Sequence, residues 1–133
     1  MALKPNEQEL LDRVQSGLGI GGTWQPSTTG ATIDVHDPAT GEVIKQIADA
    51  TVEDAVRALD AAVAAQDSWA QTPTRVRSNI LRRAFDLLME RKEEFALLMA
   101  MEMGKPIAEA RGEVNYGAEF LRSFSEEPVR VRG

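Results

Sequence analysis

Two spacings of apolar residues run along this chain, and one gives way to the other near Thr51. Ahead of that point, "NEQELLDRVQSG" (Asn6 to Gly17) sets Leu10, Leu11 and Val14 on one side of a short helix, with Gly17 as its expected stop. "GLGIGGTW" then reads as loop or strand edge, where glycine permits positive φ. In "ATIDVHDPATGEVIKQIADA" the alternation at Ile33 and Val35, then at Val43 and Ile47, predicts two short strands. Between them "DPATGE" is dense in turn formers: Pro38 fixes φ and Gly41 accepts the left-handed conformation, so a β-hairpin is expected.

From Thr51 the period is helical. "TVEDAVRALDAAVAAQDSW" places Val52, Ala55, Val56, Leu59, Ala62 and Val63 on one face. Thr51 followed three residues later by Asp54 fits a capping box, and Trp69 is expected to pack back on the core. The next helical region starts at Thr72 as N-cap with Pro73 in the first turn. It carries the stripe Val76, Ile80, Ala84, Leu87 and Leu88, and continues through Phe95, Leu98 and Met99 after a break near "ERKEE". A last helix is expected from about Pro106 to Glu127, with a seam at Ile107, Ala110, Val114, Gly117, Leu121 and Phe124. Pro128 should end it, and "VRVRG" alternates like a strand just beginning. A strand without a partner points to a chain cut short.

Composition narrows the classes. The 133 residues suffice for one domain and one core, and apolar and charged fractions of 43% and 27% are those of an ordinary globular protein. A net charge of −6, with basic residues interleaved among acids, speaks against a nucleic-acid partner. The opening "MALKPNEQEL" has no apolar secretory core, and no apolar run approaches the ~20 residues of a membrane span, so a cytoplasmic protein with no membrane partner is expected. With no cysteine, the chain has no disulfide and no thiol nucleophile.

Candidate chemistry is sparse. Gly17 to Gly22 lack the strand-turn-helix setting that gives a glycine-rich loop its meaning as a dinucleotide fingerprint. Gly104-Lys105 invites a phosphate-loop reading, but Pro106 stands where Ser or Thr is needed and a helix precedes it. The tripeptide instead reads as helix stop, dipole partner and helix start. His36, the only histidine, reads as a turn-flanking residue, and the many glutamates of the last helices as a solvated face. No catalytic residue is assigned from the residues themselves.

Several segments together resemble the N-terminal portion of the NAD(P)-dependent aldehyde dehydrogenases. They are "GGTW", "DPATGEVI" in place of the family's "NPATGE", the stretch "ADATVEDAVRALDAAVAAQDSWAQTP", and "E-x-GKP-x-x-EA-x-x-E" at Glu102, Gly104, Lys105, Pro106, Glu109, Ala110 and Glu113. Within the family, "GEVNYGAEFLRSFSEEPVRVRG" is most similar to the succinate-semialdehyde dehydrogenase branch. The resemblance implies an α/β parent with a Rossmann-type cofactor domain, of which this chain is a mostly helical part with a few short N-terminal strands. Residues 1–20 would be an N-terminal helix and linker, and 21–133 the opening of the cofactor-binding domain, before its oligomerisation and catalytic parts.

The resemblance further implies a homo-oligomeric parent that oxidises an aldehyde substrate with NAD or NADP. In that chemistry a cysteine attacks the aldehyde, hydride passes to the cofactor, and the thioester is hydrolysed. The chain holds neither that cysteine nor the family's cofactor motifs, so no bound cofactor and no activity are expected of these 133 residues alone. Some family members hold a structural monovalent cation through oxygen ligands, which such an ion prefers. The matching positions here are the carbonyl of His36 and the carboxylate of Glu102. A second reading is a free-standing helical interaction module whose seam from Ile107 to Phe124 serves as partner surface.

Overall fold

A computed structural model describes residues 4–130. The elements in order are α1 (Pro5–Arg13), β1 (Leu18–Ile20), β2 (Thr23–Gln25), β3 (Thr32–His36), β4 (Val43–Ala48), α2 (Val52–Gln71), α3 (Thr74–Glu90), α4 (Lys92–Met103) and α5 (Ile107–Arg130). Strands precede residue 49 and long helices follow, as the change of apolar period predicts. The chain divides into two compact units, residues 1–70 and 71–133.

In the first unit β1 and β2 form a hairpin with Gly19 opposite Trp24. Its two-residue turn is Gly21-Gly22, with φ of 60° and 82°, the paired positive values that match the twist of two strands. β3 and β4 pair antiparallel, Ile33 opposite Ile47, with a bulge between Val35 and His36. The turn joining them is closed by Asp37. Its carbonyl accepts the Gly41 N–H at 2.8 Å and its carboxylate accepts the Ala39 N–H at 2.8 Å.

The first helix is shorter than the sequence suggests. It ends at Arg13, and Val14 is already extended at φ −73° and ψ 126°. Residues beyond it are drawn into strand-like pairing, for the Ser16 carbonyl accepts the Ala48 N–H at 2.7 Å. The Lys45 ammonium donates to the Leu11 carbonyl at 2.7 Å, placing a cation on the helix's C-terminal end. Gly17 therefore does not stop a helix. It is a point of close approach: a Cβ there would sit 2.7 Å from the Gln25 carbonyl oxygen.

In the second unit α5 packs against α3 and α4. Its core is built from Ala96, Ala110 and Val114, with Leu88, Phe95 and Met99 around them. α3 begins one residue later than expected, with Pro73 as N-cap whose carbonyl accepts the N–H groups of Val76 and Arg77. The expected break is at Arg91, between α3 and α4. Residues buried on α5 are Ala110, Val114, Ala118 and Ser125, so the packed seam is rotated from the one read in sequence. Gly117 and Phe124 lie outside it, Phe124 at 59% exposure.

α5 also runs through Pro128 to Arg130. The missing proline N–H costs one bond in the last turn, where Val129 and Arg130 line a cleft with Arg75 and Ser78 of α3. Val129 and Arg130 are thus helical, not the start of a strand, and the rest of "VRVRG" lies outside the described residues. The apolar side of α2 is open: Val52, Val56, Leu59 and Val63 are all more than half exposed, and Trp69 is at 45% instead of packed on a core.

Candidate functional site

The most heavily hydrogen-bonded carboxylate is Asp54, in the first turn of α2 and 1% exposed. The predicted capping box is present. The Asp54 N–H donates to Thr51 Oγ1 at 3.2 Å, and the Asp54 carboxylate accepts from the Thr51 N–H at 2.9 Å and the Thr51 hydroxyl at 3.0 Å. Two further groups converge on the same carboxylate. Thr28 gives its hydroxyl at 2.6 Å and its N–H at 3.1 Å, and the Arg57 guanidinium donates at 2.6 Å.

The hydrogen bond from the Thr28 side chain, followed by that from the Thr51 backbone, holds the Asp54 carboxyl far below the usual carboxylate range. A carboxylate so stabilised as the anion is a poor acid and a poor base. It is a fastener that ties the loop at Thr28 to the start of α2. The Thr51–Asp54 half was legible from the three-residue spacing. The Thr28 half lies 26 residues away in sequence, and only the fold reveals it.

The Gly-Lys-Pro segment is the second candidate. Gly104 ends α4 in the left-handed conformation, φ 69° and ψ 14°, with its N–H on the Ala100 carbonyl at 3.0 Å. The Pro106 carbonyl accepts the N–H groups of Glu109 and Ala110 at 3.0 and 3.1 Å, and so starts α5. Lys105 reaches forward to an ion pair with Glu113 on α5 instead of back along α4. α4 and α5 are clasped again by a two-pronged pair in which the Arg111 guanidinium meets the Glu93 carboxylate at 2.7 and 3.0 Å. The pair keeps the Glu93 carboxyl below its ordinary value, chiefly through the Arg111 hydrogen bond. The segment is a braced helix-helix turn, and its lysine is engaged.

The two proposed cation ligands fall in different units. His36 ends β3, with its ring Nδ1 3.1 Å from the Gly41 carbonyl beside the turn, as a turn-flanking residue should be. Glu102 is an exposed residue in the last turn of α4. Among the described residues no three His, Cys, Asp or Glu side chains gather as metal ligands. No helix among them is long and apolar enough to cross a membrane.

With strands first, a braced Gly-Lys-Pro turn and the capped α2 in place, comparison with known proteins is decisive. The aldehyde dehydrogenase family profile matches residues 24–133. The chain belongs to the aldehyde dehydrogenase family. It is 68% identical over 91 residues to a succinate-semialdehyde dehydrogenase of Paenarthrobacter nicotinovorans, covering 68% of this chain and 20% of that protein. It is 42% identical over 114 residues to a glutarate-semialdehyde dehydrogenase of Pseudomonas aeruginosa, covering 86% of this chain and 24% of that one. Among solved aldehyde dehydrogenases, betaine aldehyde dehydrogenase from Staphylococcus aureus in complex with NAD+ superposes with a TM-score of 0.87 at 30% identity. That match covers 90% of this chain and 24% of the other. The chain thus spans between a fifth and a quarter of the length of these curated aldehyde dehydrogenases, and has the fold of their N-terminal part.

Proposed function

We propose that this chain is the N-terminal structural part of an NAD(P)-dependent dehydrogenase that oxidises succinate semialdehyde to the dicarboxylic acid. The 68% identity to the Paenarthrobacter nicotinovorans enzyme carries this reading. The Pseudomonas aeruginosa relative acts on an aldehyde one carbon longer, which supports an aldehyde with a terminal carboxylate as the substrate class. A nicotinamide cofactor, when bound, would accept the hydride; the NAD+ complex of the Staphylococcus aureus relative supports that choice. The residues in hand do structural work: Asp54 fastens α2, and Lys105 with Glu113 braces the turn between α4 and α5. Without a cysteine, these 133 residues do not form the thioester, and the chain alone is inactive.

The test joins this chain to the complementary remainder of the Paenarthrobacter nicotinovorans enzyme and follows formation of reduced nicotinamide. The chimera should oxidise succinate semialdehyde, and the 133-residue chain alone should not. Aldehyde-dependent reduction of NAD or NADP by the chain alone would overturn the assignment. A competing reading, a stand-alone interaction module, draws on the open apolar face of α2. Light scattering separates the two, since the module reading requires a defined oligomer of the isolated chain.

A further inference from the structure

α3 and α5 leave between them a cleft of about 410 Å³, lined by Arg75, Ser78, Asn79 and Arg82 on one side and by Glu126 and Arg130 on the other. Three guanidiniums therefore face one carboxylate. Their existing engagements are slight. Arg82 touches Asp86 through one ion-pair contact of 3.3 Å and lies over the Phe85 ring at 5.3 Å, and Arg130 touches Glu127 at 3.4 Å, both ion pairs being largely exposed. Glu126 is itself turned to Arg122 at 3.4 Å. Arg75 is exposed and forms no ion pair among the described residues. It sits in the first turn of α3, which holds no acidic residue to offset the positive end of the helix dipole.

Ser78 is the second, independent observation. It is buried to 7% exposure in the wall of this cleft, and its hydroxyl makes no hydrogen bond among the described residues. Ser125, buried beside it, spends its hydroxyl on the Arg122 carbonyl at 2.6 Å. A hydroxyl with no protein partner, on an otherwise buried residue and opening into a cleft lined by guanidiniums, has the character of an oxyanion ligand.

We propose that the cleft binds a phosphate group, as inorganic phosphate or as the phosphate of a small monoester. Arg75 and Arg82 supply the charge, and the Ser78 hydroxyl and Asn79 amide supply directional donors. The tetrahedral dianion suits this set because it offers oxygens to both arginines at once, and a planar carboxylate offers fewer.

The experiment is an amide-resolved NMR titration of the 133-residue chain with inorganic phosphate, at constant ionic strength maintained with sodium chloride. Acetate and glycerol phosphate are run as parallel arms. Saturable shifts confined to residues 74–82 and 122–130 are expected with phosphate and glycerol phosphate, and weak, unsaturated shifts with acetate. Tighter binding of glycerol phosphate identifies a monoester as the ligand; equal or weaker binding identifies the free ion. Arg75→Ala, on an exposed position that leaves the fold intact, should weaken phosphate binding about tenfold, and Ser78→Ala about threefold. Shifts that never saturate, that acetate reproduces, or that Arg75→Ala leaves unchanged would overturn the proposal.

Discussion

Replacing Gly17 by alanine sets two effects of opposite sign against each other. Alanine restricts the unfolded chain, which favours folding by about 0.4–1 kcal/mol where the native backbone accepts it. Here a Cβ would meet the Gln25 carbonyl oxygen at 2.7 Å, and the Gln25 carbonyl carbon and nitrogen at 3.2 Å each. All three are backbone atoms, held by the pairing of Leu18 with Gln25, so no side chain can swing aside. Forcing such a backbone contact costs up to about 3 kcal/mol, so after the gain from the unfolded chain the net is a loss of up to about 2.6 kcal/mol. Gly112 supplies the control. It is exposed within α5, a Cβ there meets nothing within 4 Å, and alanine in a helix interior gains about 0.8–1 kcal/mol over glycine. Native-state hydrogen exchange reads the two units separately. In Gly17→Ala the Ala48 amide, which bonds the Ser16 carbonyl, should exchange roughly tenfold faster. In Gly112→Ala the amides of α5 should exchange more slowly. Undiminished protection of Ala48 in Gly17→Ala would refute the reasoning.

Three further outcomes are expected. The Asp54 carboxyl is depressed in the folded chain relative to the ordinary 3.8, so its contribution to stability is fully present above that value. It is lost as the pH falls from there through the depressed folded value, and hydrogen exchange at Thr28 in the whole chain should show the loss in that acid window and none near neutrality. Thr51→Ala removes one side of the capping box and should cost about 1 kcal/mol in urea unfolding, whereas Thr51→Ser, which keeps the hydroxyl, should recover most of it. Lys105→Gln, introduced into the active chimera, should leave kcat within about twofold while lowering thermal stability, because the ammonium braces Glu113 and does not react; a far larger fall in kcat would return Lys105 to the chemistry.

How much of this was legible in sequence follows from the range of each interaction. The hairpin around Gly41, the Thr51–Asp54 box and the left-handed stop at Gly104 all depend on residues within a few positions of one another, and each stands where its local pattern placed it. The end of α1, the role of Gly17 and the Thr28 bond to Asp54 depend on contacts between distant segments, and pattern alone misplaced the first two and missed the third. The seam of α5 fell between these cases. Its period was visible, but the choice of Ala118 and Ser125 over Gly117 and Phe124 as the packed residues is made by α3 and α4. Pro128 failed as a stop for the same reason. The arginine-lined cleft gave no signal in the sequence, because Arg75, Ser78 and Arg82 meet Arg130 only when α3 lies along α5.

The balance of buried and open apolar residues bears on how this chain behaves alone. Among the described residues the buried hydrophobic side chains are few and mostly small: Ala96, Ala110 and Ala118, with Val114 and Met101, in the helices after residue 71, and Leu10 and Leu11 before it. Larger side chains that the period marks for a core are open, among them Leu59, Val63, Ile80 and Phe124. Burying a large aliphatic or aromatic side chain is worth about 1.5–3 kcal/mol, several times the contribution of an alanine methyl at about 0.8. The residues with most to offer folding thus contribute least in the isolated chain. Calorimetry should accordingly show a broad transition, with a van't Hoff enthalpy well below the calorimetric one, and joining the remainder of a relative should sharpen it and raise its midpoint. A single sharp, reversible transition at high temperature from the 133-residue chain would mean that the open faces are not unmet packing surfaces, and that the small core of each unit suffices.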